Sequence, residues 1–176
     1  MRIVLIGPPG AGKGTQGVRL ATEIKSVHLA TGDILRAESE KGTDLGKLAK
    51  QYMDKGDLVP DEVIIGVIKA RLSETHNVIL DGFPRTVTQA EALDIALEGI
   101  GRPLDVAIYI NVDQNELVNR LIGRASQEKR SDDNPETVKR RMAVYAEQSE
   151  PVLNYYRLSG RIKEVDGMGT TNDLCI

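Results

Sequence analysis

The amino-acid sequence predicts a three-layer α/β fold, a five-stranded parallel sheet with helices on both faces. Three observations predict it. Short apolar, β-branched runs recur at 2–6, 27–30, 77–81, 106–112 and 162–166. Stretches of helical periodicity separate them, the alternation that builds a parallel sheet through right-handed crossovers. The first and third runs are apolar on both faces, as strands covered from both sides must be.

The first run leads into Gly7-Pro8-Pro9-Gly10-Ala11-Gly12-Lys13-Gly14-Thr15 and then a helix over 16–25, with Val18, Leu20, Ala21 and Ile24 as its apolar stripe. Strand, glycine-rich turn and helix together are the setting of a phosphate-binding loop, or P-loop. Glycines let successive backbone N–H groups converge on an anion, and the helix adds its free N–H groups and positive dipole end. Lys13 can reach outer phosphates and Thr15 can join a Mg²⁺ shell. The general pattern places the hydroxyl directly after the lysine, and here Gly14 intervenes.

The second run ends at Thr31-Gly32-Asp33, and a helix is expected from Ile34-Leu35-Arg36. From there to Val59 apolar residues are sparse. Glu38, Glu40, Lys41, Asp44, Lys47, Lys50, Asp54 and Lys55 decorate two short helices broken at Gly42-Thr43, a small excursion solvated on one face. Pro60 suits the start of the next helix. Its apolar face carries Val63, Ile64, Val67, Ile68 and Leu72, and Arg71 lies on or beside that face, where an arginine ordinarily snorkels at the edge.

The third run ends in Asp81. Gly82-Phe83-Pro84-Arg85 reads as a stiff turn, and Thr86 as the cap of a helix that buries Ala90, Leu93 and Leu97. Gln89 stands on the same side, and a buried amide needs a partner. After the fourth run Asp113 can cap a helix with Leu117, Val118, Leu121 and Ile122 inward and Arg120 and Arg124 one turn apart. Residues 125–134 are polar without periodicity and read as a mobile loop. Asn134-Pro135 then opens a long helix with Val138, Met142, Tyr145, Val152 and Tyr156 on one stripe, which Pro151 should kink or split. Gly167-Met168-Gly169 follows the fifth run and leads to a last helix. In such a sheet ligands lie beyond the carboxyl ends of the strands, so Gly7, Thr31, Asp81 and Gly167 should face one cleft.

At 176 residues the chain makes one domain, long enough to bury about two-thirds of its unfolded surface. A net charge of -3 argues against general nucleic-acid or membrane-surface binding, and aromatics at 3% with no Trp argue against a base-stacking platform. The single Cys175 excludes an internal disulfide framework and a cysteine-only zinc site, and suits a reducing compartment. With no signal segment and no long apolar run, the expectation is a cytoplasmic protein.

Asp81, at the end of an apolar strand, supplies the carboxylate that a Mg²⁺-triphosphate site wants. The arginines narrow the function: Arg36, Arg71, Arg85, Arg120, Arg124, Arg130 and Arg141. A switch hydrolysing its own nucleotide needs about one arginine for the transferring group. Five or more around a cleft suggest two polyanions held end to end, since guanidinium is always charged and bidentate towards phosphate. No Ser/His/Asp constellation is evident, and His28 and His76 read as structural.

Gly7 to Gln16, Thr31-Gly32-Asp33 with Leu35-Arg36, and Asp81-Gly82-Phe83-Pro84-Arg85 with Gln89 resemble the adenylate kinase family over nearly the whole chain. The resemblance implies MgATP + AMP ⇌ 2 ADP. It further implies a core at 1–30, 60–124 and 135–176, a small AMP-binding insertion at 31–59 and a short lid loop at 125–134. ATP would be held by Gly10, Ala11, Gly12, Lys13, Gly14, Thr15, Arg120, Arg124 and Gly169. Mg²⁺ would be served by Thr15 and, through water, Asp81. AMP would meet Thr31 and Gln89 at its base and Arg36 and Arg85 at its phosphate, within a site completed by Gly32, Val59, Arg71, Gly82, Arg130 and Arg141. Lys13, Arg85, Arg120, Arg130 and Arg141 would act on the transferring group, with Arg130 and Asp132 brought in by the lid.

The lid is far shorter than in long-form relatives and lacks cysteines for a structural zinc. The chain stops at Ile176, soon after Thr171 caps a helix that normally runs longer, so stability is expected to suffer. The implied partners are ATP, AMP and ADP, with no nucleic acid or membrane, and the chain is expected to be a monomer. A UMP/CMP kinase of the same fold is the alternative, against which Thr31 favours adenine. A non-catalytic nucleotide switch would leave Thr31-Gly32-Asp33 and Gly82-Phe83-Pro84-Arg85 without a purpose.

Overall fold

A computed structural model describes residues 1–73, 75–128 and 134–169. Five parallel strands, β1 (Arg2–Ile6), β2 (Val27–Ala30), β3 (Val78–Asp81), β4 (Val106–Asn111) and β5 (Ile162–Asp166), lie in the order β2-β3-β1-β4-β5. The helices are α1 (Lys13–Glu23), α2 (Thr31–Glu40), α3 (Asp44–Met53), α4 (Asp61–Leu72), α5 (Val87–Gly99), α6 (Gln114–Glu128), α7 (Pro135–Val144) and α8 (Glu150–Leu158). The expected α/β architecture is therefore present. Strand order reverses direction at β1, which pairs with β3 on one side and β4 on the other. That reversal opens a crevice at the carboxyl end of β1, where the glycine-rich loop begins.

The central strands are buried on both faces because each face has its own core. Val4, Ile6, Leu29 and Leu80 pack with Phe83, Ile68, Leu93 and Tyr156 on one side. Ile3, Leu5, Ile79 and Ile108 pack with Ala21 of α1 on the other. Leu80 and Ile79 have no exposed surface, and burying each such side chain contributes about 1.5–3 kcal/mol. Strand β5, at the sheet edge, instead exposes Lys163, Glu164 and Asp166, charges that discourage further strand pairing.

Several local expectations are corrected. Val18 is 56% exposed, while Gln16, Gly17 and Ala21 form the buried face of α1. Val118 also faces solvent, because Leu117 and Leu121, one turn apart, already fill the contact. Helix α2 begins at Thr31, so Thr31-Gly32-Asp33 is its first turn rather than a linker. Helix α6 runs to Glu128, four residues into the expected loop, since no Gly or Pro stops it before Asn134-Pro135. The long helix does divide, but upstream of Pro151. A π-helical turn, Tyr145–Ser149, separates α7 from α8, and Pro151 sits in the first turn of α8, where its missing N–H costs nothing.

The Thr171 cap and the last helix lie outside the described residues. Among the described residues, no helix is long and apolar enough to cross a membrane.

Candidate active site

The glycine-rich loop closes on itself through Ala11 N–H to Pro8 O (3.1 Å) and hands over to α1 at Gly12. Gly12 has φ 88°, left-handed backbone that a side chain disfavours, so the cap position requires glycine. Lys13 Nζ donates to the carbonyls of Gly7 (2.6 Å) and Pro8 (3.0 Å), holding the ammonium at the mouth of the loop. Ala11 is buried beneath the loop and Thr15 is exposed on the first turn of α1. Leu117 and Leu121 of α6 support Gly10 from behind.

Asp81 ends β3 beside this loop and is 9% exposed. Its Oδ2 would lie 3.5 Å from a Cβ on Gly14, so the carboxylate faces the start of α1. The imidazole of His28, with Nε2 3.5 Å from Oδ2, stands on its other side. Parallel register explains the meeting: His28 pairs with Ile79 and Ala30 with Asp81, which sets His28 and Asp81 on one face of the sheet. Burial pushes the Asp81 carboxyl up, but His28, Lys13 and Arg85 outweigh it and hold the group below its ordinary value. Asp81 is therefore a carboxylate.

An open cavity lies beside Asp81, between α2, the end of α3, the start of α4 and the turn after β3. Thr31, Gly32, Arg36, Val59, Gly82, Arg85, Gln89 and Arg141, all expected around one ligand, line it. Thr31 Oγ1 donates to Gly82 O (2.9 Å) and Asp81 O (3.2 Å), and Arg85 Nε donates to the same Gly82 carbonyl (2.8 Å). One carbonyl thus holds both side chains. The turn between them contains a cis Phe83-Pro84 bond, and Phe83 is locked in the core. Leu35, Met53 and Ile64 supply apolar walls.

A second open cavity is lined by Gly7, Pro9 and Lys13 from the loop side and by Tyr145 and Ser149 of the π-helical turn. Gly56, Leu58, Gly82, Arg85 and Arg141 line both cavities, so the two compartments meet there, with Arg85 and Arg141 as the charged residues of the junction. Arg141 reaches the junction because α7 packs on the excursion's return. Arg140 Nε donates to Asp57 (2.6 Å) and Thr137 Oγ1 to Asp54 O (3.3 Å).

Other expected residues stand elsewhere. Arg71 is exposed on α4 and lines neither cavity. It is close enough to assist Lys41 and Thr43 in holding the Glu38 carboxyl below its ordinary value. Arg120 donates to Glu116 (2.7 Å) and to the carbonyls of Gly167 (3.0 Å) and Gly169 (3.2 Å). Arg120 and Gly169 are therefore joined, beside the helix that supports Gly10. The Arg124 side chain, and Arg130 and Asp132 altogether, lie outside the described residues.

Sequence reasoning missed Asp61. Its carboxylate accepts from Gln89 Nε2 (2.7 Å) and Thr86 Oγ1 (2.8 Å), and so partners the buried amide. The proximity of Pro60 to a helix start was the one available signal, since an acid in a first turn is the ordinary companion of such a start.

The model of the family described as Adenylate kinase matches residues 5–161. An adenylate kinase of Xanthomonas campestris pv. campestris (strain B100) is 47% identical over 99% of this chain and 95% of its own length. Those of Stenotrophomonas maltophilia (strain K279a) and Xanthomonas oryzae pv. oryzae (strain MAFF 311018) are each 46% identical over the same shares. A family model matched over most of the chain, and relatives 46–47% identical over nearly its whole length, lead to one conclusion: the chain belongs to the adenylate kinase family.

Proposed function

We propose that the chain transfers the γ-phosphoryl group of ATP directly to a phosphate oxygen of AMP, giving two ADP. The observation that carries this reading is the junction of the two cavities at Arg85 and Arg141. A nucleotide on the Lys13 side and a monophosphate on the Gln89 side would present their phosphates to each other there. The acceptor oxygen forms its bond to the γ-phosphorus as the bond from that phosphorus to the bridging oxygen breaks, and the electron pair leaves with ADP.

The acceptor is already an anion, so no general base is required. The protein's task is alignment and charge neutralisation, which Lys13, Arg85 and Arg141 serve. Arg36, on α2, would hold the AMP phosphate from its far side, and Arg120 and Gly169 would frame the ATP base. Thr31 would take the AMP base with Gln89: its proton is committed to backbone carbonyls, which leaves its oxygen lone pairs to accept.

Mg²⁺ fits the residues present. A buried carboxylate kept ionised by His28, Lys13 and Arg85, facing the turn that carries the Thr15 hydroxyl, is a hard oxygen donor set. Thr15 would hold the ion directly and Asp81 through water. When bound, the ion neutralises phosphate charge and orients the phosphates.

The test is ADP formation from MgATP with AMP, CMP, UMP and GMP offered in parallel. ADP made only with AMP is the expected result. Turnover with CMP or UMP instead would overturn the base assignment, and binding of ATP without transfer to any of them would overturn phosphoryl transfer itself.

A further inference from the structure

We infer that Asp61 is a positioning residue that fixes the orientation of the Gln89 amide and thereby selects a 6-aminopurine over a 6-oxopurine in the acceptor cavity. The inference rests on the proposed base contact of Gln89. A glutamine amide offers two N–H donors and two carbonyl lone pairs, and its two ends are nearly the same shape. Nothing in packing alone distinguishes them. At Gln89 the partners do. The backbone N–H of Arg85 can only donate, and it meets Oε1 at 2.7 Å. The Asp61 carboxylate accepts, and it meets Nε2 at 2.7 Å.

A flipped amide would set donor against donor at Arg85 and acceptor against acceptor at Asp61. The other Asp61 oxygen is held by the Thr86 hydroxyl (2.8 Å), whose oxygen in turn accepts from Gln89 N (3.1 Å), so the carboxylate cannot swing away. Gln89 is 2% exposed, and its remaining N–H and lone pair can be used only at the cavity it lines. Asp61 does not line that cavity and acts through Gln89.

Adenine presents an amino donor and a ring-nitrogen acceptor side by side. Hypoxanthine presents an oxygen acceptor and an N–H donor in the same two places. An amide free to turn serves both bases, and one held by partners of opposite polarity serves one.

The experiment measures kcat and KM for AMP and for inosine monophosphate, with MgATP as donor, in the wild type, Asp61→Ala, Asp61→Asn and Gln89→Ala. In Asp61→Ala the preference for AMP should fall about tenfold, the order expected for one oriented bidentate base contact. The loss should appear as a raised KM for AMP, with kcat at saturation within about twofold. Asp61→Asn, nearly isosteric yet able to turn either end to Gln89, should show the same loss to a smaller degree. It decides the matter if the alanine variant does not fold. An unchanged preference in the Asp61 variants, with the preference lost in Gln89→Ala, would overturn the role of Asp61 alone. An unchanged preference in Gln89→Ala would overturn the base contact and the inference with it. A loss of melting temperature with both monophosphates slowed equally would make Asp61 merely structural.

Discussion

Arg85 concentrates the demands made on single residues here. Its guanidinium stands at the junction of both cavities, its Nε is tied to Gly82 O, and its backbone N–H orients Gln89. Only the first two belong to its side chain, and neither supports the core. Arg85→Ala should therefore lower kcat by about 10²–10³, the cost of removing one donor aimed at developing charge, with the melting temperature nearly unchanged. Near-wild-type turnover would refute the arginine's role at the junction. Arg120→Ala should behave differently, because Arg120 also bonds the carbonyls of Gly167 and Gly169. Its loss should appear in stability as well as rate.

Gly17 shows a residue chosen for space. A Cβ there would collide with the His28 imidazole at Nε2 and fall 3.1 Å from Leu5 Cδ1. Gly17→Ala must push the His28 ring off Asp81, and urea unfolding should show a loss of about 1–3 kcal/mol, the usual cost of overpacking.

Among the elements, α3 and α5 start with the same device and should respond unequally to its removal. Thr43 accepts from Gly46 N, and Thr86 from Gln89 N. Either threonine changed to alanine loses about 1 kcal/mol of capping. Thr86 also donates to Asp61 and so joins the first turns of α4 and α5. Thr43 also donates to a carboxylate, that of Glu38 (2.9 Å), but only five residues away, whereas Thr86 ties two helices together. Thr86→Ala should therefore cost more than Thr43→Ala in equilibrium unfolding, by about 1 kcal/mol. Equal losses would mean that the α4–α5 tie contributes nothing. The π-helical turn between α7 and α8 belongs to this scale too, since it brings Tyr145 and Ser149, beside Val144, to the loop-side cavity while Val152 stays in the core.

For the molecule as a whole, the sheet edge is fastened by a half-buried polar cluster. Arg161 makes two bonds to Asp94 (2.8 and 2.6 Å), Tyr155 donates to the same carboxylate (2.7 Å), and the guanidinium lies 5.3 Å from the centre of the Tyr156 ring. Burial raises the phenols of Tyr109, Tyr145, Tyr155 and Tyr156 above their ordinary value of 10.0, and neighbouring acidic groups add to it. The fold thus prefers the protonated phenol. By linkage, that contribution is intact below pH 10 and is lost as pH rises from there towards the folded values. Unfolding midpoints should therefore fall steeply above about pH 10. Tyr156→Phe should blunt that fall. The Tyr156 hydroxyl is buried with no hydrogen-bond partner among the described residues, so its removal should leave stability at neutral pH unchanged or slightly higher.

Periodicity and punctuation were enough to read all five strands, the loop after β1, the break at Gly42-Thr43 and the helix starts at Thr86 and Asn134. Those features are local: a glycine that must turn, a hydroxyl that must cap, an apolar run that must be buried. The residues around the first cavity followed instead from the family resemblance. The sequence could not say which face of α1 is inward, because Val18 and Gln16 are placed by the sheet they meet and not by their own polarity. Nor could it pair His28 with Asp81, since strand register is a relation between segments 51 residues apart. The partner of Gln89 was hidden for the same reason. A buried amide demands some acceptor, but that it is Asp61 follows only from the packing of α4 against α5. Sequence alone determined which residues carry charge, turn and cap, because those are properties of a few neighbouring bonds. Tertiary structure decided which of them touch, because contact between distant segments depends on how the layers close.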